Sequence, residues 1–502
     1  MNWYITDNNS KSIPLSEIPE VQYAELYEEA SRLLADAAYH IAHYFAVPQA
    51  DNSLRFFFIL LDDGAGRVMI CSFVSDYWNT ALPSLTARYA GAHCFEREIT
   101  ELYGIRFDGQ PWDKPLRLAA DGIIRDRTIE DYPFYRMKGE ALHEVNVGPI
   151  HAGIIEPGAF RFICNGEKVL HLEIALGYQH RGVEKAFVAT DDRLRQCLIA
   201  ESAAGDTSVA GATAASMVME RLSSRDTDPD YEMTRAVALE LERMATHIAD
   251  TGALCMDIGY QLGQVACEAL RTVTINTTQM WCGNRFGKGI VRPFGSFYPL
   301  TADIKEKIRT NITDVRRRYE EVARDIKSLP SLLARFESCG TVPVEQMRSI
   351  GGVGTAAKAS GLARDIRASH PWGAYATEIE HSPVIKLYGD IMSRLTVRKN
   401  EVLQSADYVL ALLDKVSESI PEPDYQTVLA ADSLSFALVE GWRGEICHTA
   451  VTDGSGRIAC YKIKDPSMHN WLALALAVRS EGISDFPICN KSFNLSYCGH
   501  DL

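Results

Sequence analysis

GPIHAGIIEPGAFRFICNGEKVLHLEIALGYQHRGVEK occupies Gly148 to Lys185, with turn signals at Gly148-Pro149, Pro157-Gly158 and Asn165-Gly166. Such dipeptides interrupt regular structure. Between them lie two alternating runs, Phe160 to Cys164 and Val169 to Ile174, each about a strand long. The segment therefore predicts two or three short strands. It closes on a charged knot, His180-Arg181-Gly182-Val183-Glu184-Lys185, that opens a helix. On residue types alone this is a β-hairpin followed by a charged helix start.

Working outward, the 502 residues suffice for two to four domains. Hydrophobic residues make up 46% and charged residues 23%, the balance of a globular protein. A formal net charge of −15 argues against a nucleic-acid partner, which needs a basic surface. No run approaches the ~18 apolar residues of a membrane span. The N-terminus, MNWYITDNNSKS, lacks a basic-then-apolar signal pattern. A cytoplasmic protein is expected, held peripherally on the inner face of the cell membrane through partners. The twelve cysteines include no C-x-x-C pair. They read as buried thiols rather than a thiolate cage, which shows close pairing.

Toward the N-terminus, residues 22 to 44 carry apolar side chains at helical spacing and predict an amphipathic helix. Arg55–Leu61 and Arg67–Phe73 predict strands joined by a turn at Asp62-Asp63-Gly64. Ser84–Tyr103 predicts a helix holding Glu96, Arg97 and Glu98. Residues 108 to 145 have little periodicity and contain Pro111, Pro115 and Pro133; the linker is placed at 119–145.

Toward the C-terminus, Met233 to Trp281 is mostly helical by period, with Glu240, Arg243 and His247 on one face. Asp303–Lys327 and Val384–Val416 predict further helices. Gly351-Gly352-Val353-Gly354 lacks a following Lys-Ser/Thr, so it is no P-loop and reads as a flexible turn. Arg364, Asp365 and Arg367 follow in ARDIR as candidate buried charges, functional or simply paired with one another. Strands are expected around Trp442–Glu445 and Asp453–Gly456, and a last helix after Asp465-Pro466-Ser467.

The ordered string GPxH, EPGxFR, GE, GYxHRGxEK resembles the opening of the large subunit of membrane-bound, complex-I-related nickel–iron hydrogenases of the formate-hydrogenlyase type. It resembles, less closely, the forty-nine-kilodalton subunit of respiratory complex I. Glu96, Arg97, Glu98, Tyr103, Gly104, Pro115, Leu116 and Arg117 match the signature of the thirty-kilodalton subunit, with Glu101 where an Asp is usual. Those charges read as a docking surface and turn, not as catalysis.

The resemblance implies an α+β fold. A small α/β N-terminal domain (1–118) joins through the linker a large, mainly helical domain with flanking β-sheets (146–502). The family's metal needs four cysteine thiolates in two C-x-x-C pairs. Here the matching positions are Ala204 and Thr207, then Ser496 and Gly499. Cys197 and Cys498 stand alone. No directly bound cofactor is expected, and hydrogen turnover is not.

What the resemblance implies instead is a subunit of an oxidoreductase complex passing electrons to quinone or another small acceptor in the vacated cavity. His180, Arg181, Glu184, Arg364, Asp365 and Arg367 are the candidate catalytic residues. Asp257 and His151 are the candidate quinone contacts, although Pro157 stands where a second His belongs. The implied partners are an iron–sulfur small subunit with the proximal cluster, a ferredoxin-like iron–sulfur subunit and membrane-embedded complex-I-like subunits. The alternative is a non-catalytic coupling subunit that keeps the hydrogenase scaffold.

Overall fold

A computed structural model describes residues 1–76, 81–118, 122, 132–151 and 155–502. In chain order the N-terminal region comprises β1 (Tyr4–Thr6), β2 (Ile13–Pro14), α1 (Tyr23–Leu33), β3 (Tyr39–Pro48), β4 (Ser53–Asp62), β5 (Arg67–Asp76), β6 (Ala81–Pro83), α2 (His93–Tyr103) and β7 (Arg106–Asp108). A second sheet holds β8 (Leu142–Val147), β9 (Ala159–Asn165) and β10 (Lys168–Ala175). Helices α3 (Val183–Val188), α4 (Arg193–Ala200), α5 (Ser208–Leu222), α6 (Pro229–Asp257), α7 (Gln261–Cys282) and α8 (Ala302–Ser328) follow. Then come α9 (Pro330–Phe336), α10 (Val344–Ser349), α11 (Gly354–Ala359), α12 (Ile366–Ser369), α13 (Ala374–Thr377) and α14 (Ile391–Leu413). The C-terminal part has β11 (Ser433–Glu440), β12 (Glu445–Thr452), β13 (Ile458–Lys464), α15 (Ser467–Ala477), α16 (Phe486–Phe493) and α17 (Tyr497–Asp501).

The expected α+β architecture is found. Sheet order β1-β5-β4-β3 is antiparallel throughout. One face, with Tyr44, Phe56, Phe58 and Phe73, packs under α1 and α2. The other, with Phe45, Phe57, Ile59 and Ile70, packs into the main core shared with the C-terminal sheet, order β13-β12-β11-β2. Burial on both faces explains why β4 reads as an unbroken apolar run rather than an alternating one. Strand β2 pairs Ile13 and Pro14 with Leu434 and Ser433 of β11, so the N-terminal chain completes a C-terminal sheet. The long helices α6, α7, α8 and α14 pack on one another, and α5 lies buried between that bundle and β11.

The hairpin of β9 and β10 turns at Gly166, whose φ of 58° suits a two-residue turn. Strand β8 already begins at Leu142, so the last residues assigned to the linker belong to this sheet. Much of the rest of that linker lies outside the described residues. Five sequence readings change. The helix expected over 22–44 ends at Leu33; residues 39–48 form β3 because their aromatic and branched side chains pair with β4. The helix expected over 84–103 begins at His93, after two 3-10 turns. The Met233–Trp281 stretch is two helices broken at Gly259, φ 75°. Gly351–Gly354 is not a loose turn: a Cβ on Gly354 would lie 2.0 Å from the Arg443 carbonyl oxygen and 2.2 Å from Gly444 Cα. Two backbones touch there. Finally, α15 is followed by two further helices.

Candidate functional site

The four positions aligned with metal thiolates lie where two loops converge. Thr207 N-caps α5 and Ser496 N-caps α17. Ala204, Thr207 and Gly499 wall a void of about 10 Å³ together with Asp465 and Leu502. About one water needs that much space. Arg443 donates to both Asp206 oxygens at 2.7 Å and to Thr207 Oγ1 at 3.2 Å. Gly499 N–H donates to Ser496 Oγ at 2.9 Å, and a Cβ added at Gly499 would meet Asp465 Oδ2 at 2.6 Å. Cys498 Sγ sits 3.5 Å from Ser496 Oγ, and Cys197 is buried on α4 beside Glu201 and Arg292. The donors present are one methyl group, two hydroxyls and a backbone position, and a carboxylate fills the space beside them. This set does not fit a nickel–iron centre, which needs soft sulfur ligands. The vacated cavity expected from sequence is closed.

A larger cavity of about 640 Å³ lies at the seam between the N-terminal region and the large domain. Leu102, Leu116, Val183, Val188 and Tyr461 give it an apolar wall; Glu98, Arg117, His180, Glu184 and Lys462 face it as polar groups. Lys462 Nζ bridges Glu184 Oε2 at 2.6 Å and Glu98 Oε1 at 2.9 Å. Arg117 pairs with Glu98 and donates to the His500 carbonyl at 3.0 Å. Burial alone would raise Glu98, but Lys462 and Arg117 outweigh it and hold the carboxyl at about 2. Glu184 also accepts from Ile463 N–H at 2.8 Å. His180 Nδ1 lies 2.8 Å from the Asp501 carbonyl oxygen.

The ERE segment is therefore not a docking surface. Glu96 is buried and accepts from Ser84, Thr86 and Leu85 N–H; Glu101 accepts from the Leu116 and Arg117 N–H groups. These bonds pin the Pro115-Leu116-Arg117 segment on α2 and aim Arg117 into the seam.

The two candidate motifs do not share a cavity. His180 and Glu184 face the seam. Arg181 donates to the Ser202 and Ala203 carbonyls at 2.7 Å and to Cys498 at 3.2 Å, so it clamps the two loops of the former ligand positions. Arg364 instead donates to Gly352 O at 3.0 Å and lies 3.8 Å from Asp63, which His40 contacts at 3.1 Å. His40 in turn reaches Glu445 at 2.6 Å. Arg364 thus ties the N-terminal sheet to the C-terminal one.

Asp365 and Arg367 belong to a third, fully buried cluster. Asp365 N-caps α12 and meets Arg367 Nη2 and Lys358 Nζ, each at 2.8 Å. Lys358 also contacts Glu401 at 2.5 Å and Glu440 at 3.2 Å. Arg367 lies 3.4 Å from Glu240, and Arg243 3.1 Å. His247 Nε2 is 2.8 Å from Glu401. The helical face of Glu240, Arg243 and His247 read from sequence is this cluster's floor. Its cations are Lys358, Arg243 and Arg367; its carboxyls are Glu240, Asp365, Glu401 and Glu440. Burial, then Asp365, pushes Glu440 up to about 7, whereas Asp365 and Glu401 are held well below the usual range by the cations despite their burial. With Glu440 protonated, three cations would face three carboxylates in this cluster.

Sequence reasoning missed Lys358, Glu401 and Glu440; a lone Lys within the small apolar run Ala356-Ala-Lys-Ala-Ser was the available signal. The two proposed quinone contacts lie apart from the seam. Asp257 ends α6 and is exposed. His151 is half-buried against Phe160, ring centroids 5.6 Å apart, and residues 152–154 beside it lie outside the described residues.

Residues 20–135 match the family of the respiratory-chain NADH dehydrogenase 30 Kd subunit, and residues 257–434 that of its 49 Kd subunit. The chain is similar to formate hydrogenlyase subunit 5 of Escherichia coli (strain K12), 25% identical over 99% of this chain and 89% of the relative. It is similar to hydrogenase-4 component G of the same organism, 26% identical over 88% of this chain and 80% of the relative. An NADH-quinone oxidoreductase subunit of Phocaeicola vulgatus is 26% identical over 72% of this chain and 76% of the relative.

Proposed function

We propose that this chain, in which the thirty- and forty-nine-kilodalton regions of respiratory-chain NADH dehydrogenase are fused, is a peripheral-arm subunit of a membrane-associated oxidoreductase and carries no nickel–iron centre. In this role it takes electrons from an iron–sulfur partner and passes them to a small acceptor of quinone type, coupled to an ion-translocating membrane module. The observation that supports the reading is the closed position aligned with the family's metal, where Asp465, Thr207 and Gly499 border a void of only about 10 Å³. The acceptor is assigned to the seam cavity. Its 640 Å³ lies within the range of small-molecule sites, which mix apolar walls with few polar groups. Lys462 and Arg117 are its hydrogen-bond donors, and Glu184 orients Lys462.

Docking to partners is supported by exposed apolar side chains, Ile150, Met256, Leu262 and Val265. No helix among the described residues is long and apolar enough to cross a membrane, so membrane attachment is assigned to those partners.

A second reading, a coupling protein without redox chemistry, is favoured by the complete pairing of Asp365 and Arg367 away from any acceptor. The test uses the purified complex. Elemental analysis should find no stoichiometric nickel, and Val183→Trp, which fills the seam, should lower turnover at least tenfold while the complex stays assembled. Stoichiometric nickel overturns the first claim. Unchanged turnover in Val183→Trp overturns the acceptor assignment and leaves the coupling reading.

A further inference from the structure

Far from the seam, the loop after α9 meets the turn before α16. Ligand atoms of Cys339, Glu481 and Asp485 lie within 4.8 Å of one another. A second thiol, Cys489 on α16, is fully buried, with its Sγ 3.9 Å from that of Cys339. We propose that these four side chains form a structural zinc site that staples the helical bundle to the C-terminal helices.

The sulfur–sulfur distance fits the metal, and ligation by all four side chains draws Cys489, which stands outside the 4.8 Å group, toward the carboxylates. Two thiolates about 2.3 Å from a tetrahedral zinc are separated by about 3.8 Å. That separation is too long for a disulfide, whose sulfurs are about 2.05 Å apart. Sulfur with carboxylate oxygen is a zinc donor set; calcium and magnesium take oxygen alone. Glu481 and Asp485 each keep one oxygen for the ion, since Gly340 N–H donates to Glu481 Oε1 at 2.9 Å and Arg335 to Asp485 Oδ1 at 3.1 Å.

Charge supplies an independent argument. Arg394 is buried and makes no ion pair with a carboxylate among the described residues; it donates only to Ser492 Oγ and to the Gly389 and Gly340 carbonyls. A buried guanidinium needs anionic company. A Cβ on Gly340 would lie 2.8 Å from Cys489 Sγ and 3.0 Å from Arg394 Nη2, which places cation and thiol side by side. Two thiolates and two carboxylates around a dication leave two negative charges, and Arg335 and Arg394 match them. Binding displaces the two thiol protons to solvent and changes no oxidation state.

The full-length protein, purified without chelator, should contain stoichiometric zinc. Cobalt replacing it should give the visible bands of a tetrahedral thiolate site. Cys489→Ser and Glu481→Gln should each weaken cobalt binding at least tenfold, while Glu337→Gln, an exposed acid nearby, should not. In the unaltered chain, zinc should slow alkylation of Cys339 at least tenfold and chelator should restore it, a readout that needs no variant. Absence of zinc protection, cobalt binding indifferent to these variants, or recovery of Cys339 and Cys489 as a disulfide would overturn the proposal.

Discussion

Replacing Lys358 with Met removes an ammonium that touches three buried carboxyls, at 2.8 Å from Asp365, 2.5 Å from Glu401 and 3.2 Å from Glu440. Removing one partner of a buried ion pair costs about 3–5 kcal/mol. The cost should also depend on pH, with a definite sign. Glu440 is raised to about 7 in the folded protein, above its unfolded value near 4.5. A raised carboxyl contributes stability that is complete below about 4.5 and lost as pH rises through 7. Without Lys358 the folded value of Glu440 moves higher still, so the variant goes on losing stability above pH 7 at up to ~1.4 kcal/mol per pH unit. The penalty at pH 8 should thus exceed that at pH 6 by about 1.4 kcal/mol. Urea unfolding at pH 6, 7 and 8, followed by circular dichroism, measures it. Adding Glu440→Gln removes one uncompensated acid and should recover more than half of the loss at pH 8. A penalty below ~1 kcal/mol, one equal at all three pH values, or a double variant no better than the single one would refute the ion-cluster account.

Glu242 is raised by burial to about 8, although the N–H groups of Val209 and Ala210 at the start of α5 donate to it and lower it. By the same sign rule its contribution fades between about 4.5 and 8. Glu242→Gln keeps an acceptor for α5 without titrating, so it should flatten the unfolding profile over that range. Because Glu242 lines a cavity of about 200 Å³ and is half-buried, the gain at pH 8 is discounted to ~2 kcal/mol; an unchanged profile would count against it. Gly499→Cys should not begin to rebuild a metal site: its Cβ would meet Asp465 Oδ2 at 2.6 Å, and the overpacking should lower stability by about 1–3 kcal/mol. Thermal denaturation checks this, and a variant as stable as the parent would mean Asp465 moves aside freely.

Local order was legible. The β9–β10 hairpin follows from Asn165-Gly166 and two alternating runs, and α8 from helical spacing over Asp303–Lys327. Of the four positions aligned with thiolates, Ala204, Thr207 and Gly499 border one small void and Ser496 is not part of its lining. What failed was whatever depends on a distant partner. Residues 39 to 44 fall within the helical spacing read over 22 to 44 and form a strand because β4 pairs with them. Glu96, Arg97 and Glu98 read as surface charges because the Pro115-Leu116-Arg117 segment and Lys462, which bury them, are invisible in the local pattern. Cys339 and Cys489 lie 150 residues apart and show no spacing motif.

The separation of the two charged motifs has a physical logic. A charge in a dry interior must be matched within a few ångströms, so each cluster closes on itself: Lys462 with Glu98 and Glu184 at the seam, Lys358 and Arg367 with Asp365, Glu401 and Glu440 inside the bundle. Strand β12 and its neighbour β13 run between them. Lys462 and Lys464 alternate along β13, and Lys464 pairs with Glu445 of β12, which His40 also contacts. Residues two apart on a strand share a face, so one strand aims both lysines at the N-terminal sheet, where His43 feels both charges and is driven well below its usual value by burial first and then by them. The positions aligned with the family's metal ligands lie near the end of that strand, where Asp465 follows Lys464 and turns into α15. Filling it with a carboxylate held by the Ser467 N–H at 2.8 Å costs the fold little, because that N–H at the start of α15 needs an acceptor in any case.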